Sequence, residues 1–150
     1  MSIYDSHPVS TGDYVKALAH LENKGIVGQY AHNKKSGWAV NKALCYLYRC
    51  STPTIMDDVA SHLGYSGYKG CNGVLGNYFA NPLRNALGHD SHPPYDSKKN
   101  YIVKICSFVR FINGVGVGLH FVLHDNFRKA LDQQFGRKQI LSWQNLPKPR

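Results

Sequence analysis

The stretch TIMDDVASHLGYSGYKGCNGVLGNYFANPL, residues 54–83, decides the fold, because it reads as two short helices joined by a tight turn. Thr54 and Asp57 form a near capping box, with Asp where Glu is usual. Ile55, Val59 and Leu63 then recur one turn apart, and Gly64 suits a left-handed stop. After the turn YSGYK, residues Cys71, Val74, Leu75, Tyr78 and Phe79 take the spacing of a buried helical stripe. The opposite face carries Lys69, Asn72, Gly73, Gly76, Asn77 and Ala80, and is small and neutral-polar. A glycine inside a helix costs about 1 kcal/mol relative to alanine, so Gly70, Gly73 and Gly76 together cost on the order of 2 to 3 kcal/mol. A face this bare lets a helix backbone approach a partner closely, and Asn with flanking Lys offers donors to base edges and phosphates. The competing accounts are close packing by another helix, or a segment that is partly loop. Asn81 and Pro82 supply a cap and a first-turn proline for a brief further helix, LRNAL, ending at Gly88.

Upstream, Ser10 or Thr11 can cap a helix running to about Asn23, with Tyr14, Leu18 and Leu21 on one face and Gly25 as its stop. Residues 28–37 are polar and turn-rich, after which WAVNKALCYLYRC repeats Val40, Leu44 and Leu47 at helical spacing. Downstream, HDSHPPYDSKKN (89–100) is a polar loop and YIVKICSFVRFI (101–112) is strand-like. Asn113-Gly114 between two apolar runs is a strong hairpin signal. The return strand VGVGLHFVL leads to Asp125, which suits the cap of a helix with Phe127, Leu131 and Phe135 on one face before Gly136. The end, RKQILSWQNLPKPR, is basic, with Trp143 as an anchor. Helix, helix, helix, hairpin is the order of a winged helix. The expected fold class is therefore α+β, a winged helix-turn-helix with a three-helix core and a β-hairpin wing, plus an added N-terminal helix and a C-terminal helix. The expected divisions are an N-terminal helical extension over 1–35, the winged-helix domain over 36–136 and a basic tail over 137–150.

A chain of 150 residues holds one ordinary domain with a real core, and 43% hydrophobic with 18% charged residues argues against intrinsic disorder. Eighteen Lys and Arg against nine Asp and Glu give a net charge of +9, which draws the chain to polyanions. Glu22 is the only glutamate, so paired-carboxylate chemistry would have to use Asp. Cys45, Cys50, Cys71 and Cys106 lack zinc-ribbon or finger spacing and suit reduced, buried thiols in a cytoplasm. No apolar run follows a basic start, and no window approaches a membrane span, so a soluble cytoplasmic protein that is not exported is expected.

Residues 54–83 also resemble the winged-helix part of DNA alkylguanine alkyltransferases and alkyltransferase-like proteins. There a T-Y-x-x-A-x-x-L-G segment leads into a small-residue recognition helix with a V-G step and then Asn-Pro; Val74 to Gly76 and Asn81-Pro82 fall near the matching places. KICSFVRFINGVGVG is similar to that family's I-P-C-H-R-V segment and the glycine-rich stretch after it, which implies Cys106 at the reactive cysteine. Ile105, Ser107 and Phe108 replace the family's Pro, His and Arg, so no base adjoins Cys106 and alkyl transfer is not expected. The layout also resembles winged-helix modules associated with modification-dependent HNH restriction nucleases. The resemblance covers about residues 38–122 and implies a fold that binds duplex DNA, often through the minor groove.

Other constellations point to chemistry less well. His89 and His92 in the polar loop, with His120 and His124 on the second hairpin strand, are candidate metal ligands if they converge. A hairpin followed by a helix with His124, Asp125 and Asn126 at the junction is the layout of an HNH nuclease, but the first strand ends in Arg110, Phe111 and Ile112 without the catalytic His. Asp13 with Glu22-Asn23-Lys24 matches a restriction-nuclease D…ExK string, yet sits in a segment that reads as helix. KGIVGQY is superficially like a GIY-type nuclease, without its further motifs. The expected function is duplex DNA binding without catalysis or cofactor. Tyr65, Ser66, Tyr68, Lys69, Asn72, Gly73, Gly76 and Asn77 would meet the DNA, and Lys98, Lys99 and Arg110 the phosphates. Gene regulation or target recognition in a restriction or phage system would suit such a module, alone, as a homodimer or with a nuclease partner. The rival reading is an enzyme: a small metal-dependent DNA endonuclease, or a degenerate alkyltransferase-like binder of lesions or modified bases, using His120, His124 or Cys106.

Overall fold

The computed structural model describes residues 9–88 and 106–149, with residues 107–112 and 117–119 described by their backbone alone. The described chain is mainly helical, with one β-hairpin. Helix α1 (Thr11–Asn23) begins where Ser10 Oγ accepts the Asp13 amide at 3.1 Å, and buries Tyr14, Ala17, Leu18 and Leu21. It stops at Gly25, φ +71°, where the Ile26 amide reaches Leu21 O and the Gly25 amide reaches Glu22 O. Although expected as an extension, α1 packs on helices α5 (Asn81–Leu87) and α6 (Asp125–Gln134). Tyr14 meets Phe127 edge-on at 5.1 Å, and Phe127 meets Phe79 at 6.0 Å, so one aromatic run joins α1 to the segment after the third helix.

Helix α2 (Lys35–Arg49) occupies the centre and buries Trp38, Val40, Leu44, Leu47 and Tyr48 among others. Its entry is tightly fitted: a Cβ on Gly37 would lie 2.0 Å from the Ala31 carbonyl oxygen. The buried Asn41 amide donates to Gly28 O and accepts from Gly28 N, both at 2.9 Å, holding the turns before α2 against it. At the other end, Arg128 from α6 donates to the carbonyls of Tyr48, Cys50 (3.1 Å) and Leu47 (3.5 Å), satisfying groups that a helix C-terminus leaves open.

Helix α3 (Met56–His62) begins without the expected capping box. Thr54 is extended instead and forms an isolated antiparallel bridge to Phe121, its amide donating at 2.9 Å and its carbonyl accepting at 2.7 Å. The stop at Gly64 is as expected, with φ +82° and the Tyr65 amide on Ala60 O. Helix α4 (Tyr68–Leu75) does not end before Asn81 either, but runs through a π-helical turn (Gly76–Ala80) directly into α5. The expected cap at Asn81 is absent: Asn81 is helical, φ −67°, and its amide reaches back to Gly76 O. Pro82 has no N–H for a regular bond to Tyr78 O, and a widened turn accommodates that loss.

Strands β1 (Cys106–Ile112) and β2 (Val115–Leu123) pair antiparallel. Ile112 faces Val115 across a tip in which Asn113 (φ 52°) and Gly114 (φ 78°) are both left-handed, the expected two-residue turn. The register slips between Val109 and Phe111, where residues 117–119 of β2 oppose residue 110. Asp125 is the first residue of α6 rather than its cap, which falls on His124. Helix α7 (Arg137–Ser142) and a short 3-10 turn (Trp143–Asn145) close the other flank of α2, burying Ile140 and Trp143. Among the described residues no helix is long and apolar enough to cross a membrane.

Candidate nucleic-acid interface

The α3–α4 pair is set by contacts that local sequence does not reveal. Asp57 Oδ1, on the first turn of α3, accepts the Tyr68 amide at 3.0 Å and so caps α4. Its carboxylate supplies the negative charge favoured at a helix N-terminus, which α4 lacks in its own first turn. Beneath, Cys71 Sγ lies 3.9 Å from Met56 Sδ, and burial pushes the Cys71 thiol up to about 12. Cys71, Leu75, Phe79 and Leu83 are fully buried, each four residues after the last. On a regular α-helix that spacing drifts by about 40° per step. The π turn between Gly76 and Ala80 takes part of that drift back, keeping Phe79 and Leu83 on the core side.

Two expectations fail as a result. Tyr78, placed on the buried stripe by its spacing, is 54% exposed, and Ala80, placed on the open face, is buried. The exposed surface therefore holds Lys69 and Asn77, with the exposed rings of Tyr68 and Tyr78 and half-exposed Gly73 and Gly76 between them. A Cβ built on Gly73 or Gly76 would meet nothing within 4 Å, so no packed neighbour in the described structure accounts for these glycines. Gly70 differs, since a Cβ there would touch Tyr65 at 3.5 Å, an ordinary contact. Ser66 is exposed, whereas Tyr65 is partly buried against the core and its hydroxyl is shifted upward, first by burial and then by Cys71 and Tyr78. Asn72 is half-buried, with Oδ1 enclosed and without a hydrogen-bond partner.

The remaining expected contacts are less defined. Arg110 lies in β1 opposite the irregularity in β2, where only its backbone is described. Lys98, Lys99, His89 and His92 lie outside the described residues. Val115, beside the hairpin tip, is 64% exposed.

The candidate catalytic groups find surroundings of a different kind. Cys106 is fully buried, and burial holds its thiol far above the ordinary range, the reverse of what a nucleophilic thiolate needs. His120 stands within β2 and His124 at the N-cap of α6, so they do not share the extended strand expected of them. No group of three or more His, Cys, Asp or Glu suited to a metal ion occurs among the described residues. Asp13 and Glu22 lie in α1 and not on strands, and Glu22 Oε1 accepts from Gln134 Nε2 at 2.8 Å. Asn126, at the strand–helix junction, donates to Val9 O at 2.9 Å.

No family model, curated protein or solved structure matches this chain.

Proposed function

We propose that the protein binds duplex DNA as a winged helix-turn-helix, with α4 laid against the groove and the β1–β2 hairpin as its wing. The observation that carries this reading is the open glycine pair, Gly73 and Gly76, on an exposed helix face between Lys69 and Asn77. Two glycines in helical backbone cost about 2 kcal/mol against alanine, and the described neighbours make no use of the space they leave. A partner whose surface comes close to the helix backbone does use it. The surplus of cations makes a polyanion the fitting partner.

The bridge from Thr54 to Phe121 supports the winged arrangement, because it ties the link between the first two helices of the unit to the hairpin. Lys69 and Arg110 would meet phosphates, and Asn72 and Asn77 the base edges, with Asn72 turning its enclosed amide outward. Target recognition in gene regulation or in a restriction or phage system is the role such a module serves. We infer no catalytic step, since the burial of Cys106 and the bond from Gln134 to Glu22 leave neither in a reactive setting.

Fluorescence anisotropy on a labelled duplex across a salt series tests this reading. Lys69→Ala is expected to weaken binding roughly tenfold and to lower the log–log salt slope by about 0.9, the value of one released counterion. Salt-independent binding, or none, overturns the reading. A magnesium-dependent nick in plasmid DNA would sink the non-catalytic part.

A further inference from the structure

Two buried rings of α2, Tyr48 and Trp38, each gather two cations, and only one of the two pairs is balanced. Arg128 and Arg137 lie 5.4 and 5.8 Å from the centre of the Tyr48 ring. There the Tyr48 hydroxyl donates to Asp132, and Arg128 is bonded to the carbonyls that end α2. Lys42 and Lys148 lie 5.2 and 5.7 Å from the centre of the Trp38 ring, and among the described residues neither ammonium has a hydrogen bond or a carboxylate partner. The indole itself brings the second one there. A buried Trp N–H needs an acceptor, and Trp38 Nε1 donates to Leu146 O at 2.8 Å, which lays the end of the chain on α2 with Lys148 two residues further on.

The pair belongs to a longer row. Lys35, Lys42 and Arg49 stand seven residues apart, so they share one face of α2 and span roughly 21 Å of it. Lys35, Arg49 and Lys148 are exposed, Lys42 is half-buried along Trp38, and α2 contains no acidic residue. The neighbouring helix feels the charge: His62 of α3 packs its ring 5.2 Å from that of Tyr46, and burial, then Lys42 and Arg49, hold its imidazole below the ordinary range. Of the carboxylates, Asp58 acts on Tyr46 and Cys50 near the Arg49 end, but it forms no ion pair among the described residues.

An anion is drawn to this face by the summed field of its cations. One small anion cannot serve charges spread over roughly 21 Å, whereas a phosphate chain, repeating about every 3.4 Å of axis on each strand, can. A membrane fits less well, since Trp38 is buried and Tyr46 half-buried, which leaves neither ring open for insertion. We propose that Lys35, Lys42, Arg49 and Lys148 form a track for a stretch of duplex DNA backbone, independent of base sequence and using no residue of α4. The choice of duplex DNA as the polyanion rests on the reading above.

Fluorescence anisotropy across a salt series, on two labelled duplexes of unrelated sequence, tests the track. Lys42→Gln/Lys148→Gln should weaken both duplexes alike, about tenfold, and lower the log–log salt slope by about 1.8, the value of two released counterions. Lys42→Arg/Lys148→Arg keeps both charges and should keep the slope. Circular dichroism melts identify any variant that misfolds, and Lys35→Gln/Arg49→Gln, at two exposed positions, keeps the test open if the Lys42 variants do so. An unchanged slope in the folded glutamine variants overturns the track and leaves the α4 reading standing. A lowered slope here with none in Lys69→Ala supports the track and counts against α4, while a parent chain that binds neither duplex at any salt overturns both. A loss confined to one duplex overturns the track as well, since phosphates carry no sequence information. So does tighter, glutamine-sensitive binding to vesicles rich in phosphatidylserine than to DNA, which would assign the face to a membrane.

Discussion

Gly37 in α2 and Gly76 at the end of α4 both sit in helical backbone, yet their surroundings are opposite. A Cβ on Gly37 would lie 2.0 Å from the Ala31 carbonyl oxygen, whereas one on Gly76 would meet nothing within 4 Å. The first glycine is explained inside the protein, by a helix entry pressed against the preceding turn. The second has no such explanation among the described residues, and neither has Gly73. A small residue thus marks two different things, a tight internal seam in α2 and an uncovered stretch of helix on α4. The neighbours, not the residue, tell them apart.

That contrast can be broken by substitution. Gly37→Ala should be the most damaging change, lowering stability by about 3 kcal/mol in urea unfolding, because the obstacle is backbone and not a flexible side chain. A neutral result would mean that the seam between Ala31 and α2 opens freely. Asp57→Ala comes next. It removes the acceptor for the Tyr68 amide and should cost about 1 kcal/mol, with a further loss of DNA affinity as α4 loses its set against α3. Unchanged affinity would show that this cap does not position the proposed reading helix.

Gly73→Ala and Gly76→Ala should move the opposite way, each raising stability by about 0.5 to 1 kcal/mol while weakening DNA binding. A variant that gains stability and keeps full affinity would end the argument from open space. The smallest effect concerns His62 on the last turn of α3. Burial, with Lys42 and Arg49 nearby, holds its imidazole below the ordinary range, so the unfolded chain takes up the proton first as pH falls. The stability contributed by the neutral form is present above about pH 6.5 and is lost below it, toward the lowered folded-state value. Melting curves across that window should therefore fall less steeply for His62→Gln than for the parent chain.

The features that could be read from sequence were those whose cause is local. The Asn113-Gly114 tip needs two left-handed residues and carries the pair best suited to them, and Gly25, Gly64 and Gly136 each stop a helix within one turn. The faces of α1 and α6 followed from spacing for the same reason. Thr54 and Asp57 misled because each is taken by a distant partner, Thr54 by Phe121 and Asp57 by Tyr68. Tyr78 misled because periodicity assumes a uniform helix, and the π turn ahead of Pro82 breaks that assumption. For the proposed interface, spacing could find the bare face of α4 but could not tell an open face from one covered by another helix. That distinction needed the atoms around Gly73 and Gly76.

The amide of Asn41 has a further consequence for the turns ahead of α2. By both donating to and accepting from Gly28, it stands in for the peptide group of a neighbouring strand. Gly28 lies outside every helix and strand, yet its N–H is bonded to a buried side chain held on the central helix. That N–H stays covered for as long as the turns remain docked on α2, so in hydrogen–deuterium exchange Gly28 should be protected although it lies in a turn, while the exposed Gln29 and Tyr30 beside it exchange early.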